Sequence, residues 1–430
     1  MNLIISRYTK SMMCAAALSL FLAGCASSPK GNTSSSAPVS LAPSASAPAA
    51  TPVSTPVPTA APTPSPTPTP ANPTAGLSLD EKLGQMILAG IDGYNVNANT
   101  QTLISTYHVG GIILYKPNVK DSSQLVSLVN ELKQKNAKNK QPLWIGVDEE
   151  GGRVTRLPDE LQKTPTNQEI GKTNNKTYAY NIGNLIGSEL RAYGLNVDFA
   201  PVLDINSNPK NPVIGDRSFG ANAAVVNAMG IQEMKGLRDQ QITSVVKHFP
   251  GHGDTSVDSH VGLPVVQNDL DRLRKLELIP FAEAFKQDAD AVMVAHILLP
   301  KVDGQNPASM SKKIMTDLLR KEMGFQGVIM TDDMTMGAIE QNYDIGASAV
   351  KSVLAGANVI MVGHDYNKVV KVIEALRQAV QDKRIPMETI DQSVARIQKL
   401  KQKYKLKDES VGSVDVAALN QAVKKVLSTK

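Results

Sequence analysis

The sequence predicts an α/β fold of the (β/α)8, TIM-type barrel class for the part of the chain after residue 75. Three observations predict it. Short Val/Ile-rich runs recur between residues 85 and 362, amphipathic segments of helical length separate them, and polar residues follow several of the runs. A doubly wound open sheet shows the same alternation in sequence and is the structural alternative.

The individual elements follow from hydrophobic periodicity. Apolar, β-rich runs predict strands at 85–90, 109–115, 143–147, 197–203, 242–246, 291–295, 327–330 and 358–362. Helical spacing predicts helices at 123–135, 178–193, 224–240, 270–286, 314–323, 345–355 and 368–381, with a C-terminal helix at 415–427. Ser78 and Glu81 have the spacing of a capping box, so a first helix is expected to open the folded domain, residues 76–430.

The N-terminus has the features of an export signal. Arg7 and Lys10 precede an apolar stretch, 12–22, that is too short to span a bilayer comfortably. The stretch runs into Leu-Ala-Gly-Cys25, which resembles the lipobox of bacterial lipoproteins. We therefore expect a signal peptide at 1–25 and a lipid on Cys25 that anchors an exported protein to a membrane, outside the cytoplasm. The alternative is an uncleaved anchor in which Cys25 is incidental.

A linker is predicted between this signal and the folded domain. Residues 26–75 are mostly Ser, Thr, Ala and Pro, contain half of the chain's 26 prolines, and cannot form a core. At about 3.1 Å per residue such a disordered linker could extend up to roughly 150 Å. Cys14 lies in the predicted signal peptide, so no disulfide is expected to stabilise the exported domain.

Composition excludes several functional classes. The formal net charge is +5, and removing Arg7 and Lys10 lowers it to +3. There is no basic stripe with interleaved aromatic residues and no zinc-type Cys/His spacing, so we expect no nucleic-acid partner, no metal and no organic cofactor. A monomer is expected.

Polar residues stand where six predicted strands end. A barrel would bring these residues to one face, because active sites of this fold form at the carboxyl ends of the strands. The residues are Asp148, Asp204, Lys247 with His248, His296, Asp332 and His364.

The segment 247–260 has an unusual density of titratable groups, with three of the six histidines of the chain. It includes Asp258-Ser-His260, a spacing that suits proton transfer because an aspartate can orient an imidazole. Gly251 and Gly253 would let the loop turn sharply or close as a lid. The alternative is an ordinary glycine-rich loop with solvated histidines.

Three motifs together resemble the NagZ-type β-N-acetylglucosaminidases of glycoside hydrolase family 3. They are Lys-His-Phe-Pro-Gly-His-Gly at 247–253, Asp-Ser-His at 258–260, and Val-Ile-Met-Thr-Asp-Asp-Met at 328–334. Gly-Val-Asp-Glu-Glu-Gly-Gly-Arg-Val-Thr-Arg at 146–156, Phe-Ala-Pro-Val-Leu-Asp at 199–204 and Gly-Asp-Arg-Ser-Phe at 215–219 add to the resemblance, which spans roughly 77–405. Some members of that family have a second domain after the barrel, and too little chain follows residue 405 for one here.

The resemblance implies a retaining exo-hydrolase that removes terminal β-linked N-acetylglucosamine, with cell-wall muropeptides as the expected substrate. Asp332 would be the nucleophile, and Asp258 with His260 would serve as general acid and base. Residues that would bind the sugar are Asp148, Arg156, Arg217, Lys247 and His248.

Several alternatives stay open at this point. Asp332 could instead cap the following helix, and Asp204 could be a structural carboxylate or a ligand. His296 and His364 have no assigned role, and His252 could only brace its loop. A phosphorylase is the second enzymatic hypothesis, since a histidine repels phosphate less than a carboxylate does. A wall-binding lipoprotein without activity is the third.

Overall fold

The computed structural model describes residues 74–430, in which eight parallel strands surround a buried interior. The strands are β1 (Ile87–Gly90), β2 (Gly111–Ile113), β3 (Trp144–Val147), β4 (Val197–Asp198), β5 (Thr243–Phe249), β6 (Ala291–Val294), β7 (Val328–Thr331) and β8 (Ile360–Val362). Their spatial order is β7-β6-β5-β4-β3-β2-β1-β8. A parallel bridge from Met330 to Val359 joins β7 to the residues before β8 and completes the ring. The predicted barrel is confirmed, and the open sheet is wrong.

Thirteen α-helices accompany the strands in the described chain. They are α1 (Leu79–Gln85), α2 (Ala98–Ser105), α3 (Ser122–Asn136), α4 (Asn167–Thr173), α5 (Lys176–Ala192), α6 (Ala223–Asp239), α7 (Leu270–Lys275), α8 (Ile279–Lys286), α9 (Gly337–Glu340), α10 (Ile345–Ala355), α11 (Tyr366–Gln381), α12 (Met387–Lys403) and α13 (Val416–Leu427). A π-helical segment, Lys313–Glu322, occupies the helix position between β6 and β7.

The strands are buried along their whole length, as expected for a barrel that is filled inside and covered by helices outside. The predicted capping box is present: Ser78 Oγ accepts from the N–H of Glu81, and the Glu81 carboxylate accepts from the N–H of Ser78 at 2.7 Å. The first helix therefore begins where the sequence predicts.

Three predicted boundaries are wrong. The strand predicted at 197–203 ends as β4 at Asp198, since Pro201 cannot donate a backbone hydrogen bond to a ladder. The strand predicted to end at residue 246 continues to Phe249, so Lys247 and His248 lie within β5 and not after it. The helix predicted at 270–286 is two helices, and Pro280 lies in the first turn of the second.

The C-terminal helix predicted at 415–427 is confirmed as α13, whereas α12 was not predicted. The predicted signal peptide 1–25, the lipid site Cys25 and nearly all of the predicted linker 26–75 lie outside the described residues and stay predictions. Within 74–430, every helix is too short or too polar to cross a membrane.

Candidate active site

Seven of the eight residues predicted to form the site line one cavity of about 380 Å³. Residues of β2, β5, β6 and β8 and of the loops after β2, β3, β4, β5, β7 and β8 provide its walls. The seven residues are Asp148, Arg156, Arg217, His248, Asp258, His260 and Asp332. The barrel thus brings together side chains that are far apart in the sequence.

The eighth predicted residue, Lys247, lies beneath the cavity surface and is only 1% exposed. Its Nζ lies 2.6 Å from Asp148 Oδ1 and 2.6 Å from Glu150 Oε1. Burial alone would lower the pKa of Lys247, but the two carboxylates outweigh it and raise the pKa. Lys247 therefore stays charged and holds Asp148, which does line the cavity.

Glu150 was missed by sequence reasoning, although it stands two residues after Asp148 in the same motif. Its two oxygens accept from Arg217 Nε at 2.8 Å and Nη2 at 2.7 Å, and it is 2% exposed. Burial opposes ionisation, but Arg217 and Lys247 outweigh it and hold the pKa of Glu150 far below its usual value. This buried carboxylate fixes both cations, and the sequence offered no signal that distinguishes Glu150 from the adjacent Glu149.

Asp332 follows the last residue of β7, and its backbone N–H donates to the carbonyl of Val294 at 3.0 Å. Burial alone would raise the pKa of Asp332, but the imidazoles of His296 and His248 and the N–H of Asp333 outweigh burial, so the pKa is lowered. The carboxylate is therefore ionised at neutral pH. It does not cap the next helix, because α9 begins at Gly337.

Asp258 and His260 form a pair at the mouth of the cavity. His260 Nδ1 lies 2.8 Å from Asp258 Oδ1, which also accepts from the backbone N–H of His260 at 2.9 Å. Burial raises the pKa of Asp258, but these bonds outweigh it and lower the pKa. Because an ionised carboxylate can only accept, Nδ1 carries a proton and Nε2 is the nitrogen available for exchange. The His260 side chain is 64% exposed, whereas Asp332 is only partly exposed.

The loop that carries this pair rests on helix α9. The carbonyl of Ser259 accepts from the N–H of Ala338 at 3.0 Å, and the carbonyl of Val261 accepts from Gln341 Nε2 at 3.0 Å. Contact is close at Gly337, where a Cβ would lie 2.6 Å from the carbonyl oxygen of His260. The segment after β7 therefore carries Asp332 and also includes α9, the helix that contacts the His260 loop.

Asp204 is a structural carboxylate, fully buried beneath the site. Its Oδ2 lies 2.6 Å from His248 Nδ1, and its Oδ1 accepts from the N–H of His252 at 2.6 Å. His252 contacts Thr255 Oγ1 and Ser259 Oγ through its two ring nitrogens, and burial lowers its pKa to about 4. Asp204 therefore orients His248, and His252 braces the loop as a neutral ring.

The two remaining histidines flank the loop after β7. His296 is buried between Ser309 Oγ at 2.6 Å and the carbonyl of Asp333 at 3.0 Å. His364 is exposed and stacks on Tyr115, with 4.6 Å between ring centroids. The Asp333 carboxylate accepts from Tyr115 Oη and from the N–H of Gly363, which ties this loop to the ends of β2 and β8.

Comparison with known proteins identifies the family. The model described as the glycosyl hydrolase family 3 N terminal domain matches residues 78–400. The chain belongs to glycosyl hydrolase family 3. This family assignment confirms the resemblance drawn from the sequence motifs, and the enzyme is a glycoside hydrolase.

Two curated relatives carry the name β-hexosaminidase. β-Hexosaminidase A of Pseudoalteromonas piscicida is 39% identical over 325 residues, which cover 70% of this chain and 54% of the relative. β-Hexosaminidase LpqI of Mycobacterium tuberculosis is 34% identical over 333 residues, which cover 76% of this chain and 83% of the relative. The chain therefore spans about half the length of the first relative and most of the second.

Solved structures show the same fold. A glycoside hydrolase family 3 β-N-acetylglucosaminidase from a Paenibacillus species aligns with a TM-score of 0.77 and 41% identity, covering 81% of this chain and 68% of that one. LpqI of M. tuberculosis aligns with a TM-score of 0.69 and 33% identity, covering 76% of this chain and 94% of that one.

Proposed function

We propose that this protein is a retaining exo-β-N-acetylglucosaminidase that releases terminal β-linked N-acetylglucosamine from glycans. The observation that carries the proposal is the joint presence, on one cavity, of the partly exposed carboxylate of Asp332 and the imidazole of His260. The names of the relatives, β-hexosaminidase and β-N-acetylglucosaminidase, support the sugar.

In the first step Asp332 attacks the anomeric carbon and forms a covalent ester, while the bond from that carbon to the leaving oxygen breaks. His260 donates its Nε2 proton to the leaving oxygen. The lowered pKa of Asp332 supports this assignment, since an ionised carboxylate is the competent nucleophile. Exposure of His260 at the mouth supports a leaving group on the solvent side of the cavity.

In the second step water enters from the side of the departed group. His260 Nε2 takes a proton from the water, the water oxygen bonds to the anomeric carbon, and the ester to Asp332 breaks. Asp258 stabilises the imidazolium formed in each cycle, because its carboxylate bonds Nδ1 at 2.8 Å. Two displacements at one carbon retain the β configuration.

The sugar itself would be bound by Asp148, Arg156, Arg217 and His248, which line the cavity. Lys247 would act by orienting the Asp148 carboxylate, which lies 2.6 Å from its Nζ. Asp148 and Arg217 are held before any substrate arrives by the ion pairs that link Asp148 to Lys247, Lys247 to Glu150 and Glu150 to Arg217, so little reorganisation of these two residues is needed on binding.

The test of mechanism uses purified protein with a nitrophenyl N-acetylglucosaminide and the matched glucoside. Release of nitrophenol from the first and not the second supports the sugar assignment, and the reverse result contradicts it. A slow fluorinated glycoside should leave one sugar on the peptide that contains Asp332, read by mass spectrometry. Asp332→Asn should abolish both turnover and labelling without lowering the melting temperature.

Phosphorolysis is the alternative outcome of the same assay. If inorganic phosphate is added and the sugar 1-phosphate forms in place of the free sugar, the enzyme is a phosphorylase and the hydrolytic proposal is wrong. Free sugar as the product in phosphate buffer supports hydrolysis.

We further propose that the natural substrates are wall-derived muropeptides and that a lipid on Cys25 anchors the exported enzyme to a membrane. The lipobox-like Leu-Ala-Gly-Cys25 and the Pro-rich segment 26–75 support this location, since such a linker could reach a wall polymer. Metabolic labelling with an alkynyl fatty acid should mark the wild-type protein and not Cys25→Ser. Equal labelling of both proteins contradicts the anchor.

A further inference from the structure

The C-terminal tail, residues 404–430, lies beyond the stretch matched by the family and contacts both ends of β3. At the start of β3, Asp408 accepts from the N–H of Leu143 at 3.0 Å. Nearby, Val411 and Asn130 exchange two hydrogen bonds of 2.8 and 2.9 Å. The tail is therefore fixed before α13 begins.

Helix α13 then runs to the loop that follows β3, and Val423 is its buried anchor against the barrel helices. Asn420 on the same helix makes two hydrogen bonds to that loop. Its Oδ1 accepts from the N–H of Gln162 at 2.6 Å, and its Nδ2 donates to the carbonyl of Glu160 at 3.0 Å. One side chain of the tail thus satisfies a donor and an acceptor of the loop backbone.

The same loop carries Arg156, whose side chain lines the cavity. The guanidinium of Arg156 makes only weak contacts with the rest of the protein. Nη1 lies 3.5 Å from the carbonyl of Thr155, and Nη2 lies 3.8 Å from Asp148 Oδ2. Its buried Nε has no partner among residues 74–430. The position of this cation therefore depends on the loop backbone.

That backbone is held from two sides. On the inner side the buried Glu149 carboxylate accepts from Thr155 Oγ1 and the N–H of Arg156, each at 2.8 Å. On the outer side Asn420 holds the next turn of the loop through the bonds to Glu160 and Gln162. Loss of the outer contact removes the backbone bonds of Glu160 and Gln162 to the tail, while Lys116 Nζ still donates to the carbonyl of Leu157 at 2.9 Å and the N–H of Ser122 to the Glu160 carboxylate at 3.1 Å.

We infer that Asn420 is a positioning residue, which sets the place of Arg156 in the sugar-binding cavity through the backbone of the loop after β3. What Arg156 binds rests on the proposed function. The role of Asn420 rests on the two hydrogen bonds and on the weak direct contacts of the Arg156 guanidinium.

The test compares Asn420→Ala with Gln421→Ala, a matched control at an exposed neighbour on the same helix. For Asn420→Ala we expect KM for the nitrophenyl N-acetylglucosaminide to rise roughly 3- to 10-fold, the size expected for loss of one or two ordinary hydrogen bonds. We expect kcat to stay within about 2-fold, since the reacting groups are untouched. Unchanged KM in Asn420→Ala, or an equal rise in Gln421→Ala, overturns the inference.

Two further readouts separate positioning from general loosening. In an Arg156→Ala background, Asn420→Ala should raise KM no further; a full additional rise means that Asn420 does not act through Arg156. Hydrogen exchange of the peptide 157–165 should accelerate in Asn420→Ala and not in Gln421→Ala, whichever sugar the enzyme cleaves. Unaltered hydrogen exchange would show that Asn420 does not hold the loop backbone, and it would overturn the inference even if the proposed function is correct.

Discussion

Replacing Glu150 by Gln tests how much the ion pairs of Glu150 with Arg217 and Lys247 stabilise the folded protein. Glu150 is 2% exposed and bonds Arg217 twice and Lys247 once, so the change leaves two buried cations facing an amide. Breaking a buried ion pair from one side costs about 3–5 kcal/mol. At about 2–4 °C per kcal/mol for mid-sized domains, and less for a longer chain, the melting temperature should fall roughly 5–15 °C. Scanning fluorimetry at pH 7 measures it.

The neighbouring residue provides a matched control with the opposite electrostatics. Glu149 is also buried, but burial outweighs its bonds to Thr155, Arg156 and Leu157 and raises its pKa to about 7. Glu149→Gln resembles the protonated form of this side chain, so it should not lower the melting temperature at pH 6. Equal destabilisation by both substitutions would refute the charge argument.

The pH dependence separates the two residues further. The pKa of Glu150 is depressed in the folded protein, so its stabilisation is present above the ordinary carboxyl pKa and is lost as pH falls towards the folded value. The pKa of Glu149 is raised to about 7, so the stability that it contributes is fully present below the ordinary carboxyl pKa and is lost as pH rises from there to about 7. The deficit of Glu150→Gln should therefore shrink in acid, and the gain of Glu149→Gln over wild type should grow as pH rises to about 7 and then level off.

Three other predictions concern separate parts of the molecule. His260→Ala should lower kcat/KM for the nitrophenyl substrate about 10²- to 10⁴-fold, and retained activity would contradict its role as acid and base. Burial raises the pKa of Glu233 to about 8, so stability is lost as pH rises through 8; Glu233→Gln should flatten the fall of melting temperature between pH 6 and 9, and an unchanged slope would contradict this. Val423→Asp should free α13 for limited proteolysis, because it buries an unpaired carboxylate, and wild-type resistance would contradict the docking.

Periodicity was sufficient to predict the barrel because each strand is an apolar run buried on both faces. Periodicity failed to predict the end of β5, because this strand includes polar residues. Lys247 and His248 are polar, yet they continue β5, because Asp148 and Glu150 in the loop after β3 and Asp204 in the loop after β4 pair with their side chains. These ion pairs join residues that are far apart in the sequence, so the local pattern around β5 does not reveal them.

The convergence of Asp332 and His260 on one cavity could be predicted from topology, since the carboxyl ends of barrel strands share one face. The burial of Lys247 and the importance of Glu150 could not, because the motif places Asp148, Glu149 and Glu150 in sequence without indicating which side chain points inward. In the structure Glu149 holds its own loop, and Glu150 pairs with cations from elsewhere.

Asp332 is attached to a strand of the barrel, whereas Asp258 and His260 belong to a loop that touches α9 through a few backbone contacts. Under the proposed mechanism, the nucleophile and the acid-base pair would therefore be subject to different evolutionary constraints. Insertions or substitutions in the loop can remodel the space for the departing group while the strand-borne carboxylate is inherited intact. Divergence of specificity in this lineage is expected to concentrate around residues 254–265, with little change at the end of β7.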